Sequence, residues 1–382
     1  VAQGSSAQPL LAALKQVLNG HASALLPVPA GDERQSRVSA LRVGEIIDDD
    51  VAVVVTTSGT AGAPKGALLT AAALTASATA THDRLGGPGR WLLALPPYHI
   101  AGVQVLVRSL LADSVLVELD VSSGFDVRQL PSAVNELGSG RRYTSLVATQ
   151  LAKALTDPAA TAALADLDAV LIGGGPAPQP ILDSAARASV RVVRTYGMSE
   201  TAGGCVYDGV PLDGVDVRID DGGRIAIGGA TLAKGYRNPP DPDPFGEPGW
   251  FHTDDIGAVD DSGALSVLGR VDDAISTGGL TVLPQLVEAA LRTHPDVADC
   301  AVFGLADERL GQRVVAAVVV ADGCAPPVLD TLRAHVTRTL AHTAAPRELH
   351  IVDSLPMRGI GKVDRSALIA RAEAGSDDIM PW

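Results

Sequence analysis

The chain has 382 residues, two or three domains' worth at roughly 150 residues each, and its 46% hydrophobic and 19% charged side chains exclude disorder as the dominant state. Thirty basic against 44 acidic residues leave a formal net charge of −14, which repels a polyanion such as DNA and confines phosphate recognition to local pockets.

Residues 9–18 repeat apolar side chains at helical spacing, and a Pro/Gly-containing connection leads from there to Arg37. A β-branched run at 51–55 ends in Thr56-Thr57-Ser58-Gly59, a strand entering a turn. Residues 68–80 predict a helix. Strands are then expected at 91–95, 114–119, 145–147, 170–172 and 191–194, with helices at 104–111 and 151–155 among them. Repeated strand–helix units favour a parallel sheet covered by helices. After about residue 212 the rhythm changes. Strands at 215–219 and 224–227 flank Asp220-Asp221-Gly222-Gly223, and strands at 258–259 and 265–268 flank a turn at 260–263, so this stretch reads as antiparallel hairpins. Beyond Arg270 follow a helix at 284–291, strands at 299–304 and 313–320, a helix at 328–340 and a strand at 348–352. The last eight residues read as a frayed tail.

Three cysteines, Cys205, Cys300 and Cys324, show neither a C-x-x-C motif nor an even pairing, which predicts reduced thiols in a cytoplasmic protein. No signal peptide is expected in the first 20 residues. The longest uncharged apolar stretch, 91–107, is interrupted by Pro96, Pro97 and His99 and makes a poor membrane helix. Only five lysines occur, Lys15, Lys65, Lys153, Lys234 and Lys362, and two of them, Lys65 and Lys362, stand in glycine-rich loops.

The first of these loops, Thr57-Ser58-Gly59-Thr60-Ala61-Gly62-Ala63-Pro64-Lys65-Gly66, follows a strand directly. Alternating hydroxyls and glycines let N–H and O–H donors converge on phosphate oxygens, with Lys65 as a point charge. The Walker A spacing is not met, which sets aside a P-loop NTPase. By itself such a string is equally a flexible turn. Four more strings follow in order: Tyr196-Gly197-Met198-Ser199-Glu200-Thr201, Trp250-Phe251-His252-Thr253-Asp254-Asp255-Ile256-Gly257, Gly269-Arg270-Val271-Asp272-Asp273 and Gly359-Ile360-Gly361-Lys362-Val363-Asp364-Arg365. In this order over residues 57–365 they resemble the core motifs of the adenylate-forming superfamily of acyl-CoA synthetases, adenylation domains and luciferases.

That resemblance implies an α/β fold: a large N-terminal domain of sheets flanked by helices over 1–271, with a small β subdomain at about 212–268, and a small mobile α+β C-terminal domain over 272–382 hinged near Asp272. It implies an ATP-dependent acid–thiol ligase that forms an acyl-adenylate and then a CoA thioester, using ATP, Mg²⁺ and coenzyme A. Thr57, Ser58, Gly59, Thr60, Gly62, Lys65, Gly174, Tyr196, Gly197, Met198, Ser199, Asp255 and Arg270 would bind nucleotide, with Tyr196 on adenine and Asp255 and Arg270 at the ribose. Glu200 would ligate Mg²⁺, Thr201 would touch the α-phosphate, and Lys362 would catalyse adenylation before the small domain turns. Gly278 and Gly279 would leave room for the pantetheine arm; a plain turn explains them as well. The superfamily usually has Gly where this chain has Asp254, which adds a charge beside the ribose.

The acyl pocket is read from Leu95-Pro96-Pro97-Tyr98-His99-Ile100-Ala101-Gly102, similar to the superfamily segment that gates the acyl group with an aromatic or histidine, here His99. Arg108 interrupts an apolar run nine residues on and must find an anion, snorkel to water, or simply lie on the helix surface. An anion there would be the second carboxylate of a dicarboxylic substrate. The His99–Arg108 spacing, Gly173-Gly174-Gly175 and Tyr196–Glu200 resemble the subfamily that makes the CoA thioester of o-succinylbenzoate for menaquinone biosynthesis, whose ring would lie against Gly173 and Gly175. Other aryl- or fatty-acid CoA ligases, carrier-loading adenylation enzymes and a non-enzymatic adenylate sensor share the nucleotide motifs. Only about 56 residues precede the phosphate loop, fewer than in full-length members, so a reduced N-terminal subdomain with an apolar flank covered in a two-fold homodimer is expected. Neither a nucleic-acid partner nor membrane insertion is expected.

Overall fold

A computed structural model describes residues 7–29, 31, 33–57, 64–358 and 362–374. The chain divides into two compact units. The first comprises residues 1–218, 226–253 and 260–265, and the second comprises 219–225, 254–259 and 266–382.

The first unit opens with α1 (Gln8–Leu18), which buries Leu10, Leu14 and Val17 on one stripe, and α2 (Glu33–Ala40). Strands β1 (Val51–Thr57) and β2 (Lys65–Thr70) pair antiparallel, with Thr57 opposite Lys65. The helix expected over 68–80 therefore starts later, as α3 (Ala71–Arg84). Leu68–Thr70 complete the β2 ladder, and the Thr70 hydroxyl caps the helix by accepting the Ala73 N–H at 3.0 Å. The alternation that follows is β3 (Arg90–Leu93), α4 (Ile100–Leu111), β4 (Val117–Glu118), α5 (Leu130–Glu136), β5 (Arg142–Val147), α6 (Ala148–Leu155), α7 (Pro158–Ala165), β6 (Ala169–Gly173), α8 (Gln179–Arg187), β7 (Val192–Met198), β8 (Gly203–Tyr207) and β9 (Val210–Pro211).

These strands form one seven-stranded sheet in the order β4-β3-β5-β6-β7-β8-β9. It is parallel from β4 to β7 and antiparallel from β7 to β9. One face buries Leu92, Leu146, Val170 and Ile172 under apolar residues of α5 to α8, such as Leu130, Leu151, Leu164 and Ala185. Helix α4 packs on β3, β5 and β8, and α3 packs on α4. The parallel strands read as near-continuous apolar runs because both faces are covered.

Strands β10 (Val215–Ile219), β11 (Arg224–Gly229), β12 (Trp250–Val259) and β13 (Leu265–Arg270) make a four-stranded sheet in chain order, as the hairpin signals predict. The second unit continues with β14 (Ile275–Thr277), β15 (Leu280–Val282), α9 (Pro284–Leu291), β16 (Val297–Asp307), β17 (Gly311–Val320), α10 (Leu329–Val336), β18 (Glu348–Ile351), β19 (Met357–Arg358), β20 (Lys362–Val363) and α11 (Arg365–Ala374). Along β16 the side chains alternate between two cores. Cys300 and Val302 meet α9 and α10, whereas Ala301, Phe303 and Leu305 meet Leu368 and Ala372 of α11. The fold is thus the α/β architecture with a smaller α+β C-terminal part that the sequence implies. Helices α2, α5, α7, α8 and α11 are additions to the sequence reading. The tail beyond residue 374 lies outside the described residues.

Candidate active site

In a parallel sheet the carboxyl ends of adjacent strands face one opening, and ligands gather there. Three of the expected segments start from that edge in the first unit. The segment holding His99 leaves β3, Gly173 ends β6 in register with Val147 of β5, and Tyr196–Thr201 ends β7 and the turn after it. His99 sits in extended backbone at the N-terminus of α4, its ring 4.8 Å from that of Tyr98. Gly174 and Gly175 follow β6 into a bend.

The turn after β7 is tightly specified. A register shift between Tyr196 and Gly197 re-aims the strand, and a Cβ on Gly197 would stand 2.1 Å from the Gly203 carbonyl oxygen, so only glycine fits. Residues Ser199–Thr201 form one 3₁₀ turn closed by Ala202 at φ 50°, a left-handed conformation costly for alanine. Buried hydrogen bonds hold it: Ser77 Oγ donates to the Ala202 carbonyl at 2.9 Å, Thr201 Oγ1 accepts the Met198 N–H at 3.0 Å and lies 2.7 Å from the Gly203 carbonyl. The Thr201 side chain is fully buried, so the hydroxyl assigned to an α-phosphate is committed to the turn instead. The turn presents Glu200. Its buried carboxylate accepts the Tyr236 hydroxyl at 2.6 Å, and its carbonyl accepts the Ala233 N–H at 2.8 Å.

Thr57 and Lys65 face each other at the base of the hydroxyl- and glycine-rich loop, with Thr57 Oγ1 3.5 Å from the Lys65 carbonyl. Ser58, Gly59, Thr60 and Gly62 lie outside the described residues. Beyond them the described chain resumes at Pro64 and enters strand β2 at Lys65, not a helix. Lys65 Nζ stands 5.2 Å from the centre of the Tyr236 ring. Tyr236, 9% exposed, escaped the sequence reading; in a chain with only five tyrosines, the short Gly235-Tyr236 pair was the available signal.

Arg108 is only 3% exposed, which removes the helix-surface reading. It also stands apart from His99. Nine residues of helix at about 1.5 Å each separate them by roughly 13 Å along the axis. Its guanidinium carbon is 4.9 Å from the Trp91 ring and Nη2 lies 3.3 Å from Tyr207 Oη. No carboxylate reaches it among the described residues, and its Nε has no hydrogen-bond partner there. Trp91 Nε1 donates to His82 Nε2 at 3.2 Å, and burial together with the Arg108 charge pushes the His82 pKa down to about 4.

In the second unit Arg270 collects carboxylates. Its Nε and Nη2 donate to the two oxygens of Asp272 at 2.8 and 2.9 Å, Nη1 reaches Asp255 at 3.4 Å, and Nη2 lies 3.7 Å from Asp254. Arg224 Nη2 donates to Asp254 at 2.7 Å, so the extra acidic residue is paired. Burial alone would raise the Asp272 carboxyl, yet its hydrogen bond and charge contact with Arg270 carry it below the ordinary range. Asp255 is mostly buried, its side chain 13% exposed. Gly278 and Gly279 are the central pair of the β14–β15 hairpin, with φ 60° and 78°, and Thr277 pairs with Leu280. Two positive φ values in a two-residue loop account for both glycines. The backbone of Lys362 lies in β20, paired with Arg358.

Burial pushes the Cys205 and Cys300 thiols up to about 12, which leaves neither as a nucleophile at neutral pH. Among the described residues no cluster of three or more His, Cys, Asp or Glu could hold a metal. A carboxylate such as Glu200 suits a magnesium ion whose other ligands are phosphate and water. No helix among the described residues is long and apolar enough to cross a membrane.

Two family models match the chain: AMP-binding enzyme over residues 6–237 and the AMP-binding enzyme C-terminal domain over residues 286–362. A probable 2-succinylbenzoate–CoA ligase of Mycobacterium tuberculosis is 74% identical over 379 residues, 99% of this chain and 98% of that protein. The 2-succinylbenzoate–CoA ligase of Bacillus licheniformis is 34% identical, over 84% of this chain and 70% of its own length. Among solved structures, the o-succinylbenzoate CoA synthetase of Bacillus subtilis in complex with the acyl-adenylate intermediate superposes with a TM-score of 0.72 at 30% identity, covering 83% of this chain and 69% of that one. The amide bond synthetase of Marinactinospora thermotolerans reaches 0.76 at 29% identity, covering 85% and 69%.

Proposed function

The chain belongs to the AMP-binding enzyme family, and from that membership we propose that it ligates o-succinylbenzoate to coenzyme A at the expense of ATP, the acid-activating step of menaquinone biosynthesis. The observation that carries the substrate is the 74% identity across 99% of the chain to a probable 2-succinylbenzoate–CoA ligase. The reaction is an AMP-forming acid–thiol ligation. A substrate carboxylate oxygen attacks the α-phosphorus of ATP, the bond to the β-phosphate breaks, and pyrophosphate leaves. The CoA sulfur then attacks the acyl carbon of the mixed anhydride and AMP leaves.

Both reacting groups of the first step are anions, so the site must supply positive charge and donors. Lys65 and the loop between β1 and β2 are assigned to the β- and γ-phosphates, with Tyr196 against adenine and Asp255 and Arg270 on the ribose. Magnesium, when bound, screens the triphosphate, and Glu200 is its protein ligand. Thr201 shapes the turn that presents Glu200. His99 and the Gly173–Gly175 backbone border the acyl group. We assign Lys362 to adenylation only, with residues 272–382 turning about Asp272 between the two steps and Gly278-Gly279 beside the pantetheine arm. The finer readings are a two-fold homodimer, supported by exposed apolar residues such as Ile46 at 95%, and a cytoplasmic location, supported by three unpaired cysteines.

Pyrophosphate release with a panel of aromatic, fatty and dicarboxylic acids, each with CoA, with an amine or with neither, tests the function. Release confined to acids other than o-succinylbenzoate overturns the substrate, and release with no acid overturns the ligase. Lys362→Ala is expected to slow adenylation by about 10²–10³-fold while a pre-formed acyl-adenylate still reacts with CoA. Equal loss in both half-reactions would remove the domain turn.

A further inference from the structure

We infer that Tyr236 is a positioning residue that locks the Glu200 carboxylate and ties it to Lys65, so that magnesium and phosphate sites are set by one side chain. The inference rests on the ligase reading above. Three segments far apart in sequence meet at this ring. The chain at 233–237 runs between the Glu200 turn and β2: Ala233 N–H donates to the Glu200 carbonyl, Lys234 N–H to the Leu68 carbonyl at 2.8 Å, Leu68 N–H to the Gly235 carbonyl at 2.9 Å and Arg237 N–H to the Gly66 carbonyl at 2.8 Å. Residues 234–237 therefore act as a short extra strand on β2, and Tyr236 pairs with Ala67.

From that backbone the side chain does two things. The hydroxyl donates to Glu200 Oε1 at 2.6 Å, a charge-assisted hydrogen bond inside a buried setting. The ring face meets Lys65 Nζ at 5.2 Å, within cation–π range. The ring is itself braced by Phe245 at 5.3 Å edge-on, and Phe245 by Phe251 at 4.7 Å. A glutamate side chain turns about three torsions, each of which can swing its carboxylate. With Oε1 pinned, the carboxylate plane is fixed before nucleotide arrives, and the cost of ordering it is removed from metal binding.

Tyr236→Phe deletes the hydroxyl and keeps the ring over Lys65. Calorimetric titration of ATP at a series of magnesium concentrations and in EDTA is the test. The expected result is about a tenfold higher magnesium requirement for tight ATP binding, with metal-free ATP affinity unchanged. In a Glu200→Gln background the same substitution should add nothing, because it acts through that carboxylate. An unchanged magnesium requirement, or equal weakening with and without the metal, overturns the inference. Absence of magnesium-dependent ATP binding in the unmodified protein would instead overturn the ligase reading.

Discussion

Arg108 and Arg270 are both arginines that the sequence singles out, and the molecule treats them in opposite ways. Arg270 lies among Asp254, Asp255 and Asp272, half open to solvent, and its own affinity for its proton is raised by them against the effect of burial. Arg108 is buried against Trp91, Tyr207 and His82, and burial lowers its pKa. A cation in a low-dielectric interior need not find a carboxylate. A ring face and a phenol oxygen replace part of its hydration, and neighbouring His82 stays neutral rather than add a second charge. Carboxylates around Arg270 instead leave an anionic surplus, Asp255 among them, suited to hydroxyl donors such as a ribose.

The contrast breaks most visibly at Arg108. Arg108→Ala is expected to lower unfolding stability by about 3 kcal/mol through the cavity it leaves, whereas Arg108→Met, which fills the volume without a charge, should be neutral or more stable. Thermal and urea unfolding of the two variants measure this. The Met variant should keep its KM for the dicarboxylic acid, and a rise of a hundredfold would return Arg108 to the acyl pocket.

The next effect concerns His82. Its pKa falls from 6.5 to about 4 on folding, so the unfolded chain binds the extra proton between those values. Stability present above pH 6.5 is therefore lost as pH falls towards 4, by about 2 kcal/mol after allowance for solvent screening. His82→Gln should flatten the urea-midpoint profile over that window, and an unchanged slope would show that the carboxylates alone set it.

The smallest effect belongs to the exposed side of the comparison. Asp254→Gly, which restores the superfamily's residue, removes its pairing with Arg224 and a longer approach to Arg270. Such a pair contributes at most about 1 kcal/mol and less at high salt. Stability should shift by less than that, and a change in ATP affinity larger than threefold would place Asp254 in the ribose site.

Much of this was legible in the chain itself. Periodicity located the alternating core of the first unit, because strands covered on both faces need continuous apolar runs, and the hairpin at 220–223 followed from glycines that allow positive φ, whereas the strands flanking Gly278-Gly279 were not read from the sequence. The strings around Lys65, Glu200 and Arg270 stood out because, in this order, they resemble the superfamily's core motifs; each string alone reads equally as a turn. What tertiary structure alone decided was the neighbourhood of each side chain. Sequence spacing put Arg108 near His99, but nine residues of rigid helix carry it to Trp91 instead. Thr201 reads as a free hydroxyl until the left-handed Ala202 requires it, and Tyr236 has meaning only where β2 and the Glu200 turn converge. Short-range backbone demands are written in consecutive residues; the partners of a buried polar group are chosen by packing between segments far apart in the chain.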